Sequence, residues 1–401
     1  MKKMRGATLT TILVVASGLP VVGAAGPASS LEAEGFDHFY NLEYDQAIAD
    51  FDKQIAAEPQ NPNAYNHLAQ AILYREMLRS GALESQLVTG SNPFIRRQKM
   101  NPGEPDRRRF EGLIAKAMQL GEARLEKNSR DTDALYALGV SYGLRANYSF
   151  LVHKAWLDAL RYSATARNYH NQVTAIDPSS VDAQLLQGLY DYVVGSLPWA
   201  MKMLGFVGGF RGDREEGIRT LQLVAQKGHA DRVDAQVLLA VIYRRERRPL
   251  DAIPLLNTLV HDYPRAYLLR FEQAQMYGDA GDEKHALEAL DKVEEMKRAG
   301  VAGYARVPDE KIRYARGNLL FWYNDLDRAL DDLKAVTAHA DNLDLNTGVL
   351  AWMRLGQTYD LKGQRSNAKA AYRKAIAYAP QSDAAKESRG YLSSPYRRRA
   401  G

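Results

Sequence analysis

The 401-residue sequence contains no cysteine, which excludes a disulfide framework and any thiolate metal cluster. Its 30 glycines and 15 prolines are too few for a collagen-like or low-complexity chain. Net charge is small as well. Of the formal +5, Lys2, Lys3 and Arg5 supply three charges before any acidic residue, which leaves +2 for the rest. A balance so close to neutral lacks the basic field of a nucleic-acid binder, and no nucleic acid is expected as a partner. No segment after the N-terminus approaches the ~18 continuous apolar residues of a membrane span.

With 46% apolar and 25% charged residues, the chain has the composition of a globular protein that must stand on packing alone. The N-terminus is a separate matter. A basic start is followed by an apolar run from Leu9 to Val22 and the small residues Gly23, Ala24 and Ala25, the pattern of a secretory signal peptide over 1–24 cleaved after Ala24. Gly18 and Pro20 interrupt the run, which argues against the alternative of an uncleaved anchor helix. Export to a periplasm or the exterior is therefore expected.

A long-period pattern dominates the remainder. Trp352, Leu355, Gly356, Tyr359, Ala368, Tyr372, Ala375 and Pro380 fit W-x2-L-G-x2-Y, then A-x3-F, then P, within 34 residues. Gly356 and Ala368 are small where two antiparallel helices would touch, the larger residues fill gaps between neighbours, and Pro380 ends the second helix. The small residue recurs at Gly35, Ala69, Gly139, Gly188, Ala240, Ala274, Gly317 and Gly356. The steps of 34, 70, 49, 52, 34, 43 and 39 residues read as units of 34 with extra residues inserted. Second-helix marks include Ala47, Phe51 and Pro59, then Ala252, Leu256 and Pro264, then Ala286 and Leu290, then Ala329 and Leu333.

On these residues the chain resembles the tetratricopeptide-repeat proteins over 31–385. The resemblance implies an all-α fold: a right-handed solenoid of about eight helix-turn-helix repeats over 25–385, followed by a basic C-terminal tail over 386–401. It also implies a concave groove lined by first helices and the role of a scaffold that binds protein segments, with no cofactor and no catalysis. Counted from the recurring small residue, the groove positions are Tyr136 and Val140, Leu185 and Leu189, Val237 and Val241, Phe271 and Gln275, Tyr314 and Asn318, Met353 and Gln357. Domains of this family that clamp a terminal carboxylate place Lys and Asn there. Only Asn318 fits, so an apolar or amphipathic peptide is the expected ligand class.

The insertions of repeats 2, 3 and 4, near 79–109, 145–160 and 192–211, fall between first and second helices and hence along one edge. The first holds Arg79, Arg96, Arg97, Lys99, Arg107, Arg108 and Arg109 against Glu84, Glu104 and Asp106. Read as a loop, it suits an acidic protein or an anionic membrane surface. From Tyr192 to Phe210 the third carries one charge, Lys202, among Trp199, Met201, Met203, Phe206 and other apolar residues. It is read either as a plug of the groove or as a hairpin that touches a membrane or partner. Together the first and third insertions are expected to form one lid. Ser196-Leu197-Pro198, Leu204 to Phe210 and Gly212 to Gly217 are also similar to a segment of the tetratricopeptide protein 39 and inclusion-body-clearance family, which implies a scaffold linked to lipids or aggregates.

Catalytic patterns are present only by letter. Gly139-Val140-Ser141-Tyr142-Gly143 matches a nucleophile elbow, but those residues are packing positions of a repeat helix rather than a strand-to-helix turn. Ser366-Asn367-Ala368-Lys369 lacks the partner motifs of its class. The eight histidines are scattered, about one per repeat, and none has a second ligand at metal spacing.

Overall fold

The computed structural model describes residues 30–83, 100–197, 210–340, 343 and 345–398. All regular structure among them is helical. Two compact units divide the chain, Met1–Tyr263 and Pro264–Gly401.

In the first unit the helices form antiparallel pairs: α1 (Ser30–Tyr40) with α2 (Tyr44–Ala57), α3 (Pro62–Arg79) with α4 (Glu104–Lys127), and α5 (Thr132–Tyr148) with α6 (Trp156–Ile176). The fourth and fifth pairs are α7 (Gln184–Gly195) with α8 (Arg214–Lys227) and α9 (Arg232–Arg245) with α10 (Pro249–Asp262). The second unit holds α11 (Tyr267–Asp279) with α12 (Glu283–Arg298), α13 (Asp309–Trp322) with α14 (Leu326–Ala338), and α15 (Leu345–Leu361) with α16 (Arg365–Tyr378). A last helix, α17 (Asp383–Ser393), covers α15 and α16. The eight small residues of the sequence pattern each fall in the first helix of a pair. A Cβ on Gly35 would collide with the Phe51 ring, one on Gly139 with the His170 ring, and one on Gly356 would lie 2.5 Å from the Tyr372 ring.

Helix starts are set by side chains that accept an otherwise orphaned N–H. Asn61 serves Asn63, Asp131 serves Ala134, Asp213 serves Glu216, and Ser382 serves Ala385. The turn inside a pair is equally regular. Leu42, Arg247, Gly281, Asn324 and Gly363 all have positive φ, between 55° and 84°, and each lies seven residues after the small residue of its repeat. The next N–H reaches back to close the first helix: Glu43 to His38, Arg248 to Tyr243, Asp282 to Tyr277, Asp325 to Leu320, and Gln364 to Tyr359. This is the left-handed stop of a Schellman motif.

The three repeats with insertions lack that stop at the seventh place; in α3 it comes later, at the left-handed Gly81, where the Ala82 N–H reaches back to Met77. α3 and α5 run past the corresponding position, and α5 continues into a π-helical turn, Ser149–His153, that ends on the left-handed Lys154. Met100 of the first insertion donates its N–H to Leu151 of the second, and Phe110 stacks on Tyr148 at 4.3 Å.

Two expectations need correction. Residues 104–109 are not loop but the first turn of α4, where Pro105 fits because a starting helix needs no N–H there. Residues 386–393 are not a free basic tail but part of α17, and the chain beyond it folds back. The Tyr396 N–H donates to Asp360 at 2.8 Å, and the Arg398 guanidinium donates to the carbonyls of Phe321 and Trp322 that end α13.

Candidate functional site

In the first unit the residues assigned to a groove divide sharply. Tyr136, Val140 and Leu185 have no exposed surface, whereas Leu189, Val237 and Val241 are half-buried. In the second unit Phe271, Tyr314, Met353 and Gln357 are also buried, while Gln275 and Asn318 keep partial exposure. The stripe counted off the sequence therefore belongs mostly to the packing between helices and offers little surface to a ligand. Helix periodicity locates a stripe but not how closely the neighbouring first helix approaches it.

The buried stripe of the first unit is unusually polar. The Tyr136 hydroxyl donates to the Asp231 carboxylate at 2.7 Å, and Asp182 accepts the N–H groups of His229 and Asp231. The Tyr40 ring lies 5.0 Å from that of Tyr263, with its hydroxyl beside Asp234. Burial pushes the Asp234 carboxyl up to about 7. It also raises the Tyr40 and Tyr136 hydroxyls well above their usual range, and the nearby carboxylates add to this.

A second buried relay joins α1, α2 and α3. Gln54 donates to Glu32 at 3.1 Å and accepts from His67 Nδ1 at 3.0 Å, which leaves His67 Nε2 bare and the ring neutral. Burial holds His67 down to about 3 and lifts Glu32 to about 7. His170, which also loses its charge to burial and falls to about 4, faces the carbonyls of Ala183 and Tyr136 at 3.0 and 3.3 Å. These histidines hold helices together and show no metal-binding geometry; among the described residues no cluster of three His, Asp or Glu could hold a metal.

In the second unit one buried cation lies over two rings. The Arg354 guanidinium lies 4.4 Å from the Phe321 centroid and 4.8 Å from that of Trp322, and donates to Gln357 at 2.8 Å. Burial lowers its pKa. Trp322 stays 54% exposed.

The insertion residues are only partly visible. Arg96, Arg97, Trp199, Met201, Met203 and Phe206 lie outside the described residues, as does the expected lid. Arg107 and Arg108 pair with Glu104, and Arg109 pairs with Asp52, so these three are matched locally and form no free basic loop. Ser141 is fully buried inside α5, 2.8 Å from Asn66 Oδ1 and 2.9 Å from the Ala137 carbonyl. No nucleophile elbow exists there.

Sequence reasoning missed an apolar cleft between α5, α6 and α7. Leu160, Leu186, Leu189, Val193 and Val194 line it, with Gly143 opening its floor. The Arg167–Asp191 ion pair, 3.1 Å, stands on α6 and α7 beside it, and Arg167 covers the ring of the lining residue Tyr190 at 4.6 Å. Of these residues the repeat pattern singles out only Leu189, because the cleft draws one stripe from each of three helices. Beside it on α6, Trp156 and Leu157 are 44% and 48% exposed.

Residues 349–382 match the family model of the tetratricopeptide repeat. No curated protein matches the sequence, so the likeness of residues 196–217 to the tetratricopeptide protein 39 family gains no support. Solved structures that resemble the chain include tetratricopeptide proteins. YrrB, described as having an unusual peptide-binding site, has 17% identity and a TM-score of 0.32, over 67% of this chain and 97% of its own. TTC0263 of Thermus thermophilus has 15% identity and a TM-score of 0.34, over 60% and 94%. Yeast Tom70 has 13% identity and a TM-score of 0.39, over 91% and 94%.

Proposed function

We propose that this tetratricopeptide-repeat protein is an exported, non-catalytic scaffold that takes an apolar or amphipathic segment of a protein partner, in a process of the cell envelope. The observation that carries the reading is the α5–α6–α7 cleft, whose lining is mostly apolar, with Asn147 and Ser163 as its polar members, and beside which one ion pair stands to orient a polar backbone or side chain. The test is a panel of labelled amphipathic peptides titrated with the protein and followed by fluorescence anisotropy. Leu189→Asp and Leu160→Asp are expected to weaken the binding of any peptide that is taken up by at least about tenfold, since each buries an unpaired carboxylate. Equal affinity in folded variants would remove the cleft from the reading.

Export rests on Lys2, Lys3, Arg5 and the Leu9–Val22 run. N-terminal sequencing of the exported protein is expected to begin at Ala25; an intact Met1 would contradict it.

A second reading, contact with an anionic membrane surface, is favoured by the exposed Trp156 and Leu157 next to Lys154. Flotation with anionic liposomes separates the two: a peptide scaffold stays at the bottom of the gradient.

A further inference from the structure

In the first unit the first helix pair touches the last. Tyr40, the last residue of α1, reaches the start of α9 and the end of α10, where its ring meets Tyr263 at 5.0 Å and its hydroxyl stands beside the Asp234 carboxyl. Tyr40 Oη and Asp234 Oδ2 are both buried and make no direct hydrogen bond. In the same unit Tyr136, Val140 and Leu185 have no exposed surface, and the Tyr136 hydroxyl lies near Asp231 and Asp234. The offsets of Tyr136, Val140 and Leu185 in the repeat are those at which an open array would present a ligand-facing stripe.

We infer that the meeting of Tyr40 with Asp234 and Tyr263 is a proton-dependent latch, which holds the ligand-facing side of the first unit shut while Asp234 is protonated and releases it when Asp234 ionises. What the released face receives rests on the scaffold function proposed above; the latch itself does not.

The surroundings of Asp234 set the sign. Asp231, three residues earlier at the start of the same helix, accepts the Tyr136 hydroxyl, and Asp182, before α7, accepts the Asp231 N–H. Tyr40 itself feels Asp234, Asp231, Tyr263 and, from α3, Tyr74. Around Tyr263 stand Asp262, Asp37 and the cation Arg232, an exposed residue. Asp234 lies 5% exposed in this setting, so ionising it leaves a negative charge out of reach of water. Opening the contact hydrates it.

Burial lifts the Asp234 carboxyl to about 7 from an ordinary 3.8, so the closed state is the protonated one. Its preference over the open state falls as pH rises between those two values, by up to about tenfold per pH unit.

The absence of cysteine makes the test direct. Spin labels on Ala33→Cys and His261→Cys, both exposed positions, report the separation of α1 and α10 in the full-length protein by pulsed dipolar spectroscopy. One short distance is expected at pH 5, and a longer component that grows about 10- to 100-fold relative to it by pH 7.5. Asp234→Asn is expected to keep the short distance at both pH values. Tyr40→Phe, which keeps the ring contact with Tyr263 and spares the carboxyl, is expected to retain the pH dependence, and it covers the case in which the asparagine variant does not fold. A distance that does not change with pH in the parent protein overturns the latch, as does the same change in Asp234→Asn. Because no ligand is present, failure here leaves the peptide titration of the cleft untouched.

Discussion

Single residues set both the closeness of packing and its response to acid. Gly356 admits the Tyr372 ring where a Cβ would lie 2.5 Å from it, and that ring is pinned by its hydroxyl on Asp360 at 2.9 Å. Gly356→Leu is expected to cost about 1–3 kcal/mol through overpacking, read by urea unfolding. The buried acids and histidines oppose each other. Asp234 and Glu32 have folded pKa values raised to about 7, so they favour the native state at low pH, a preference lost as pH rises toward 7. His67 and His170 have folded values depressed to about 3 and 4; the unfolded chain takes up their protons first, and stability falls as pH drops below about 6.5. Between about pH 4.5 and 6.5 the two effects cancel, two protons against two. Asp234→Asn removes one of the two acidic protons from that balance. Its stability is expected to gain a slope of about +1.4 kcal/mol per pH unit relative to the parent over this range, measured by urea unfolding at several pH values. Parallel curves for the two proteins would show that Asp234 is not protonated in the fold.

At the level of elements, the left-handed residue seven places after the small one decides whether a repeat is short. Gly281 and Gly363, which have no Cβ, and Asn324 tolerate positive φ there, while Leu42 and Arg247 are strained by it. Arg247 is exposed, so Arg247→Gly is expected to stabilise the fifth pair by about 0.5–1 kcal/mol, seen as a higher urea midpoint. Gly363→Ala is expected to do the reverse in the last pair by a similar amount. The closing element is α17 with the chain behind it. Arg365 donates to the carbonyls of Tyr391 and Leu392 and also pairs with Asp360, so the cap is tied to the repeat it covers. A chain ending at Ala379 exposes Tyr372, Ala375 and Met353, apolar residues buried in the same cluster as Ala384. Hydrogen exchange in α15 and α16 is expected to speed first, because terminal repeats depend on their caps; uniform acceleration over the chain would argue against it.

For the whole molecule, each unit has its own core. The large cluster of the first unit runs from Phe36 through Leu73 and Leu144 to Val173, and the clusters of the second centre on Phe271, Leu333 and Tyr372. Gly356→Leu is therefore expected to shift the unfolding of the second unit and leave amide protection in α1–α10 unchanged. Loss of protection in α3 or α5 on that substitution would mean that the two units unfold as one.

The repeat was legible because each of its marks is local. A small residue where two helices touch, an aromatic one helix away and a proline after the second helix leave a spacing that needs no tertiary information, and Gly35, Ala69, Gly139, Gly188, Ala240, Ala274, Gly317 and Gly356 all fall in first helices. The all-α class and the eight pairs follow from that. The left-handed stops were equally available in principle at a fixed offset, but Leu42 and Arg247 disguise them. Side-chain burial across several helices was not legible. Whether Tyr136 or Leu185 faces water depends on how closely other first helices approach, and the meeting of Tyr40 with Asp234 joins residues 194 positions apart. Arg107, Arg108 and Arg109 looked like a free charge cluster because ion pairing to Glu104 and Asp52 depends on a helix start and a neighbouring helix. Periodicity fixes which residues share a face; only packing decides whether that face is an interface or a surface, because it turns on distances that the order of residues does not contain.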